Sequence, residues 1–174
     1  MYKRQIYLNR GLLDEAIAEL RLLANIYRRQ DQADQEGETL QRIGSIYAEA
    51  GNPEEAMTNL RRAVDLMPDS MDLLREIVGI CIQLGNSHEA VQYQSVIARH
   101  YFETKQVKEA VAALQQLITI DRQNFEAYDL LGQTYQSVGE YEQASRVYRN
   151  LAKVNPENSI ARERLATLQE LRTR

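Results

Sequence analysis

The sequence predicts an all-α chain built as an array of antiparallel helix pairs, about ten helices in all, and three observations predict it. The dipeptide Glu-Ala recurs as Glu15-Ala16, Glu55-Ala56, Glu89-Ala90 and Glu109-Ala110 and returns as Gln143-Ala144, with spacings of 40, 34, 20 and 34 residues. A period of 34 is that of a helix–turn–helix unit repeated along a chain. Apolar residues fall at helical spacing, as in Leu40, Ile43, Ile46 and Tyr47, which share one face of a 3.6-residue turn. Three prolines and eight glycines in 174 residues leave little room for hairpins or coil, and the glycines fall between helix-like segments.

In chain order, Tyr7 and Gly11 stand where a first helix and its turn would end, and Ala16, Leu20 and Leu23 follow on a second helix. That first unit lacks most of its first helix, as a ragged cap or a piece of a larger protein would. Residues 37–70 read as two helices around Gly51-Asn52-Pro53. Asn52 is an N-cap candidate, Pro53 suits the first helical position, and Glu54 and Glu55 suit the positive end of the helix. The second helix of this unit buries Ala56, Leu60, Ala63 and Val64, and Pro68-Asp69-Ser70 ends it and caps the next. That next helix carries Leu74, Ile77, Val78 and Cys81, turns at Gly85-Asn86 and hands over to Ser87 as N-cap.

The segment 37–70 resembles a tetratricopeptide repeat. That repeat's 34 positions favour a large residue, Leu, a small residue and Tyr on the first helix, then Ala, an aromatic, Ala and Pro on the second. Leu40, Ile43, Gly44, Tyr47, Ala56, Leu60, Ala63 and Pro68 match it. Residues 125–158 match through Tyr128, Leu131, Gly132, Tyr135, Ala144, Tyr148, Leu151 and Pro156, with Gly139 at the turn. The resemblance implies a right-handed α-solenoid in which Gly44 and Gly132 lie opposite Ala56 and Ala144, letting the paired backbones approach. These residues are core and carry no chemistry.

Two spacings depart from the period. The surplus between Ala16 and Ala56 falls in RRQDQADQEG, residues 28–37, a polar stretch of good helix formers that extends the flanking helices and protrudes. The short spacing between Ala90 and Ala110 lacks about one helix, so residues 87–103 serve twice. Ala90, Gln94 and Ile97 take second-helix positions of one unit, and Ile97, Ala98 and Tyr101 first-helix positions of the next. A continuous bent helix over 87–121 is the competing reading. The turn Glu103-Thr104-Lys105-Gln106 lacks glycine. Residues 159–174, with Ile160, Leu165, Leu168 and Leu171 on one side, resemble the solvating last helix of such arrays. The expected organisation is therefore one array over 1–174. A partial unit and polar extension fill 1–36, and repeats fill 37–70, 71–104, 91–124 (overlapping the one before) and 125–158. Residues 159–174 form the capping helix.

Composition narrows the function. A net charge of −4 and a pI near 5.3 oppose a nucleic-acid surface, which needs a basic stripe. Residues 1–87 hold 10 Lys/Arg against 14 Asp/Glu, and residues 88–174 hold 11 of each. One cysteine, Cys81, excludes an intramolecular disulfide and any cysteine-based zinc site. No run approaches the ~20 apolar residues of a membrane span, and the basic start has no apolar signal core, so a cytoplasmic protein is expected. His88 and His100 stand about 18 Å apart on one helix, too far to share a metal. No phosphate loop or nucleophile elbow occurs. The chain reads as no enzyme, with no metal and no cofactor.

The resemblance implies binding of a protein or peptide segment in the concave groove lined by first helices. Carried over position by position, the lining is Gln41, Ser45 and Glu49, then Arg75, Gly79 and Gln83, then Ser95, Arg99 and Phe102, and finally Asp129, Gln133 and Gln136. The Lys and Asn pair with which some relatives hold a terminal carboxylate is absent, so an extended segment of mixed polarity is expected. A structural spacer and an RNA-reading repeat are the competing functions, the second opposed by the acidic charge. Exposed array ends also suit self-association.

Overall fold

In the computed structural model, which describes the backbone of residues 2–157 and 159–172 and the side chains of residues 11–157 and 159–170, the described residues form nine helices and no strand. These are α1 (Tyr2–Arg29), α2 (Ala33–Glu49), α3 (Pro53–Leu66), α4 (Met71–Gln83), α5 (Ser87–Glu103), α6 (Val107–Ile120), α7 (Phe125–Ser137), α8 (Tyr141–Val154) and α9 (Ser159–Arg172). The expectations for Tyr7 and Leu171 fall on side chains outside the described set. The chain divides into two compact units, Met1–Asn86 and Ser87–Arg174.

In the first unit α2 packs on both α1 and α3, and α3 packs on α4; in the second, α5 pairs with α6, α7 with α8, and α9 lies on α8. Five of the connections are one device. Asp31, Gly51, Gly85, Lys105 and Gly139 take left-handed backbone angles, with φ between 57° and 78°. After each, an N–H reaches back five residues to a carbonyl: Gln32 to Tyr27, Asn52 to Tyr47, Asn86 to Cys81, Gln106 to Tyr101 and Glu140 to Tyr135. This is the helix stop that satisfies two orphan carbonyls at once. It usually takes glycine, because a Cβ is crowded there. Asp31 and Lys105 fill the place without glycine, so the turn after α5 breaks the helix and no continuous helix runs over 87–121.

Five residues beyond each left-handed residue comes a buried one: Glu36, Ala56, Ala90, Ala110 and Ala144, none more than 5% exposed. The Glu-Ala series therefore marks the first turn of the helix after a turn, with one exception. Gly11 lies inside the continuous α1, and Ala16 and Leu23 are exposed while Ile17 and Ala24 are buried. The expected turn at Gly11 and the separate second helix carrying Ala16, Leu20 and Leu23 are corrected accordingly: all lie on one helix. The helix is rotated by one residue from the repeat phase, because α2 packs against its Ile17–Ala24 face. The 40-residue spacing thus measures no repeat unit.

The place of the first small residue belongs to Glu36. Its carboxylate accepts from Arg28 Nε at 3.0 Å and from Arg62 Nη2 at 3.1 Å, which offsets the cost of burying a charge. The surplus at 28–37 is absorbed by lengthening α1 and α2 around the turn at Asp31, as expected, yet its end does not protrude: Glu36 and Gly37 are buried. Flanked by helix stops at both ends and packed on both neighbours, α2 plays the shared role that the sequence reading gives to α5.

The core follows the helical stripes. Leu40, Ile43, Ala56, Leu60 and Ala63 close α2 against α3, and Leu74, Ile77, Val78 and Cys81 are buried on α4. In the second unit Tyr128, Ala144, Tyr148, Leu151, Ala161 and Leu168 form one cluster across α7, α8 and α9. The close approaches at the two helix glycines go beyond expectation. A Cβ on Gly44 would lie 2.5 Å from the Leu60 side chain and 3.3 Å from the Ala56 carbonyl oxygen, and one on Gly132 would lie 2.2 Å from Tyr148 Cζ. The backbone at Ala56 does approach Gly44, but at both glycines the tightest neighbour is a large side chain one turn beyond the alanine. Ser70 and Asn124 cap α4 and α7 by accepting from Leu73 and Ala127 N–H groups, whereas Asn52 precedes α3 without a side-chain cap bond, leaving Pro53 to start it.

Candidate functional site

The expected groove residues lie on α2 and α4 in the first unit and on α5 and α7 in the second. In the first unit two of them are occupied. Gln41 Nε2 donates to Glu76 Oε2 at 3.0 Å, and Ser45 Oγ donates to Glu76 Oε1 at 2.5 Å, so one carboxylate of α4 ties down two side chains of α2. Arg75 pairs with Asp72 one turn away on its own helix. Glu49, Gly79 and Gln83 are exposed.

In the second unit Asp129 is a hub. Arg164 of α9 meets it with a fork, Nε to Oδ1 at 3.0 Å and Nη2 to Oδ2 at 3.2 Å, the bidentate geometry that suits arginine and carboxylate. Gln133 Nε2 donates to Oδ2 at 2.8 Å. The hydroxyl of Tyr148, whose side chain is fully buried, lies 3.4 Å from Asp129 Oδ1 and 3.3 Å from Gln136 Oε1. Burial first, then the neighbouring Asp129 carboxylate, holds this phenol well above its usual range, with Arg164 pulling the other way. The hydrogen bond to Asp129 in turn raises the Arg164 guanidinium.

Gln41–Glu76 and Asp129–Arg164 are the same link with the chemistry exchanged. Each pair is 35 residues apart and joins successive first helices, once with the donor first and once with the acceptor first. The residues that the resemblance assigns to a ligand thus hold neighbouring helices together. Ser95 donates to the carbonyl of Val91, and Arg99 Nη2 meets Glu126 Oε1 of α7 at 2.8 Å, both ends more than half exposed.

One part of the α5–α7 face is open. A cavity of about 550 Å³ is lined by Tyr101, Phe102, Lys105, Val107, Gln133 and Val138, with Thr134 and Ser137 at its side. Of the expected groove residues only Phe102 and Gln133 are brought together here. Phe102 is half-buried and Val138 is 48% exposed, so the walls are largely apolar, and Lys105, held left-handed in its turn, stands at the edge. The hydroxyls of Thr134 and Ser137 are bonded to the carbonyls of Leu130 and Thr134. Glu76, Arg164, Lys105 and Val138 are missed in the sequence reading. The signal for the first two is a complementary polar partner one period and one residue beyond Gln41 and Asp129; for Lys105 it is the missing turn glycine.

No group of three or more His, Cys, Asp or Glu among the described residues is arranged to hold a metal ion. His88 bonds the Gln92 side chain and His100 sits edge-on to Tyr101. No described helix is long and apolar enough to cross a membrane.

Three family models match the chain: "Tetratricopeptide repeat" over residues 5–69, "TPR repeat" over 98–139 and a second "Tetratricopeptide repeat" over 125–168. No curated protein sequence matches. Among solved structures, the chain is similar to the first repeat domain of Spaghetti bound to an HSP90 peptide, at 18% identity and a TM-score of 0.39, covering 81% of this chain and 96% of that one. It is similar to MamA from Desulfovibrio magneticus RS-1 at 20% identity and a TM-score of 0.38, covering 97% and 81%. It is also similar to the TPR2AB domain of yeast Sti1 in complex with pHSP90, at 16% identity and a TM-score of 0.44, covering 94% and 66%.

Proposed function

Because the chain belongs to the tetratricopeptide repeat family, we propose that it is a non-enzymatic interaction module that grips an extended segment of a partner protein on the α5–α7 face. The observation that carries this reading is the open apolar cavity at Phe102 and Val138. Gln41, Ser45, Asp129, Gln133 and Gln136 are engaged within the chain, so polar capture along the groove would first have to break those bonds. An apolar anchor has no such cost. Burying one Leu- or Phe-sized side chain contributes about 1.5–3 kcal/mol, and flanking backbone contacts supply the rest.

Selection of a displayed random-peptide library against the chain tests the reading. Enriched peptides are expected to share a Leu, Met or Phe anchor, and Phe102→Asp or Val138→Asp is expected to lower their affinity at least tenfold while helical content stays unchanged. Peptides that bind both variants as well as the parent would place the site elsewhere. Arg75→Glu, remote from the cavity in sequence and engaged with Asp72, is the control expected to leave the affinity alone.

A further inference from the structure

The face of α1 turned away from α2 carries exposed apolar side chains. Leu12 is 66% exposed, Leu22 65%, Ile26 49% and Leu23 36%. Leu12, Ala16, Glu19, Leu23 and Ile26 follow one another at spacings of 4, 3, 4 and 3, the period of a helix–helix seam. The inner face, Ile17 and Ala24, is already taken by α2. Beside the seam a cavity of about 300 Å³ opens between α1 and α2, lined by Ala16, Glu19, Leu20, Leu23, Arg42 and Ile46.

We propose that this face is the contact surface of a two-fold dimer, in which α1 pairs antiparallel with the α1 of a second copy. The charges choose this occupant. Glu15, Leu22 and Arg29 recur at spacings of seven along one flank of the seam. An antiparallel helix turned about a two-fold axis near Leu22 sets Leu22 against its own copy and Glu15 against the second copy's Arg29, twice. Both residues are exposed, and neither has an ion pair with a described residue. The same register lays the second copy's Ile26 over Ala16, where the cavity opens. A parallel pairing would instead set Glu15 level with Glu15. Head-to-tail stacking on α9 offers a poorer complement, because Arg162, Glu163, Thr167, Gln169 and Glu170 dominate its exposed residues and Ile160, 41% exposed, is its single large apolar one among the described residues. Glu19 within the seam keeps the association modest and the register fixed, as a polar seam residue does. This surface is independent of the cavity at Phe102.

The full chain is examined by sedimentation equilibrium over a range around 10 µM, where an interface at the small end of the stable class is expected to dissociate. The parent should show a concentration-dependent monomer–dimer equilibrium. Leu22→Glu, Glu15→Arg and Arg29→Glu should each raise the dissociation constant about tenfold or more, and Glu15→Arg combined with Arg29→Glu should return it to within about threefold of the parent. All three residue changes lie on exposed positions of α1, and unchanged circular dichroism is the check that folding is kept. Mild oxidation should link Leu22→Cys chains across the dimer and leave Leu12→Cys chains unlinked. A parent that is monomeric throughout, a dimer indifferent to Leu22→Glu, a charge swap that fails to restore, or preferential linking through Leu12→Cys overturns the proposal.

Discussion

Gly132→Ala isolates the close packing of α7 on α8. The added methyl would lie 2.2 Å from Tyr148 Cζ and 2.5 Å from its hydroxyl oxygen, against an ordinary contact of about 3.5–4.0 Å. The ring must therefore retreat by more than about 1 Å, and it has nowhere to go: its side chain is fully buried and its hydroxyl lies between Asp129 and Gln136. Overpacking of this severity costs up to about 3 kcal/mol, while alanine's better helix propensity returns about 1 kcal/mol. The net loss is then about 2 kcal/mol, or roughly 10 °C in the melting of a unit of this size. Gly79→Ala is the matched control. Nothing lies within 4 Å of its added methyl, and it too is inside a helix, so propensity alone should stabilise it by about 0.5–1 kcal/mol. Urea unfolding followed by circular dichroism, with a constant slope, reads both. A midpoint for Gly132→Ala at or above the parent's would refute the reasoning. Tyr148→Leu in the same background should cost less than the two single changes summed, since the methyl then occupies vacated space.

Tyr148 also makes alkaline stability testable. Its folded-state pKa is raised, so its contribution is whole below the unfolded value near 10 and is lost as pH rises beyond it, by up to about 1.4 kcal/mol per pH unit. Tyr148→Phe should flatten the fall in urea midpoint between pH 10 and 12 relative to the parent, and equal slopes would show that the phenol is not held protonated. Glu36 predicts an asymmetry: Glu36→Ala should cost less than about 1 kcal/mol, because Arg28 and Arg62 are half exposed and return to water. Replacing both arginines by alanine strands a buried carboxylate and should cost about 2–4 kcal/mol; equal losses in a thermal melt would show that Glu36 is hydrated.

The helices were largely legible because each is bounded by signals within a few residues of itself. Glycine after α2, α4 and α7, Pro53 at the start of α3 and an alanine five beyond four of the five left-handed turns act locally. Of the eight residues matched in each of two repeats, six are buried for the same reason, while Tyr47 and Tyr135 are half-buried and Pro68 and Pro156 are exposed beyond the helix ends. Gly11 followed five residues later by Ala16 imitates that signal, yet α1 runs straight through it, because the face that α2 covers is decided by Ile17 and Ala24. The internal partners of the groove residues were not legible, for a related reason. Gln41, Ser45 and Asp129 stand at ligand-facing places of the repeat, but whether a polar side chain faces a ligand or a neighbour depends on what lies 31–35 residues away.

By itself the sequence determined the helical class, the period and the residues that close each helix pair, since these follow from backbone propensities and from apolar spacing within a single turn. Tertiary structure alone decided that Glu36 is buried between two arginines, that Gly132 yields to Tyr148, that Asp129 binds α9 and that Phe102 borders an open cavity. Each of these depends on side chains brought together from different helices, where rotamer, distance and solvent access set the energy.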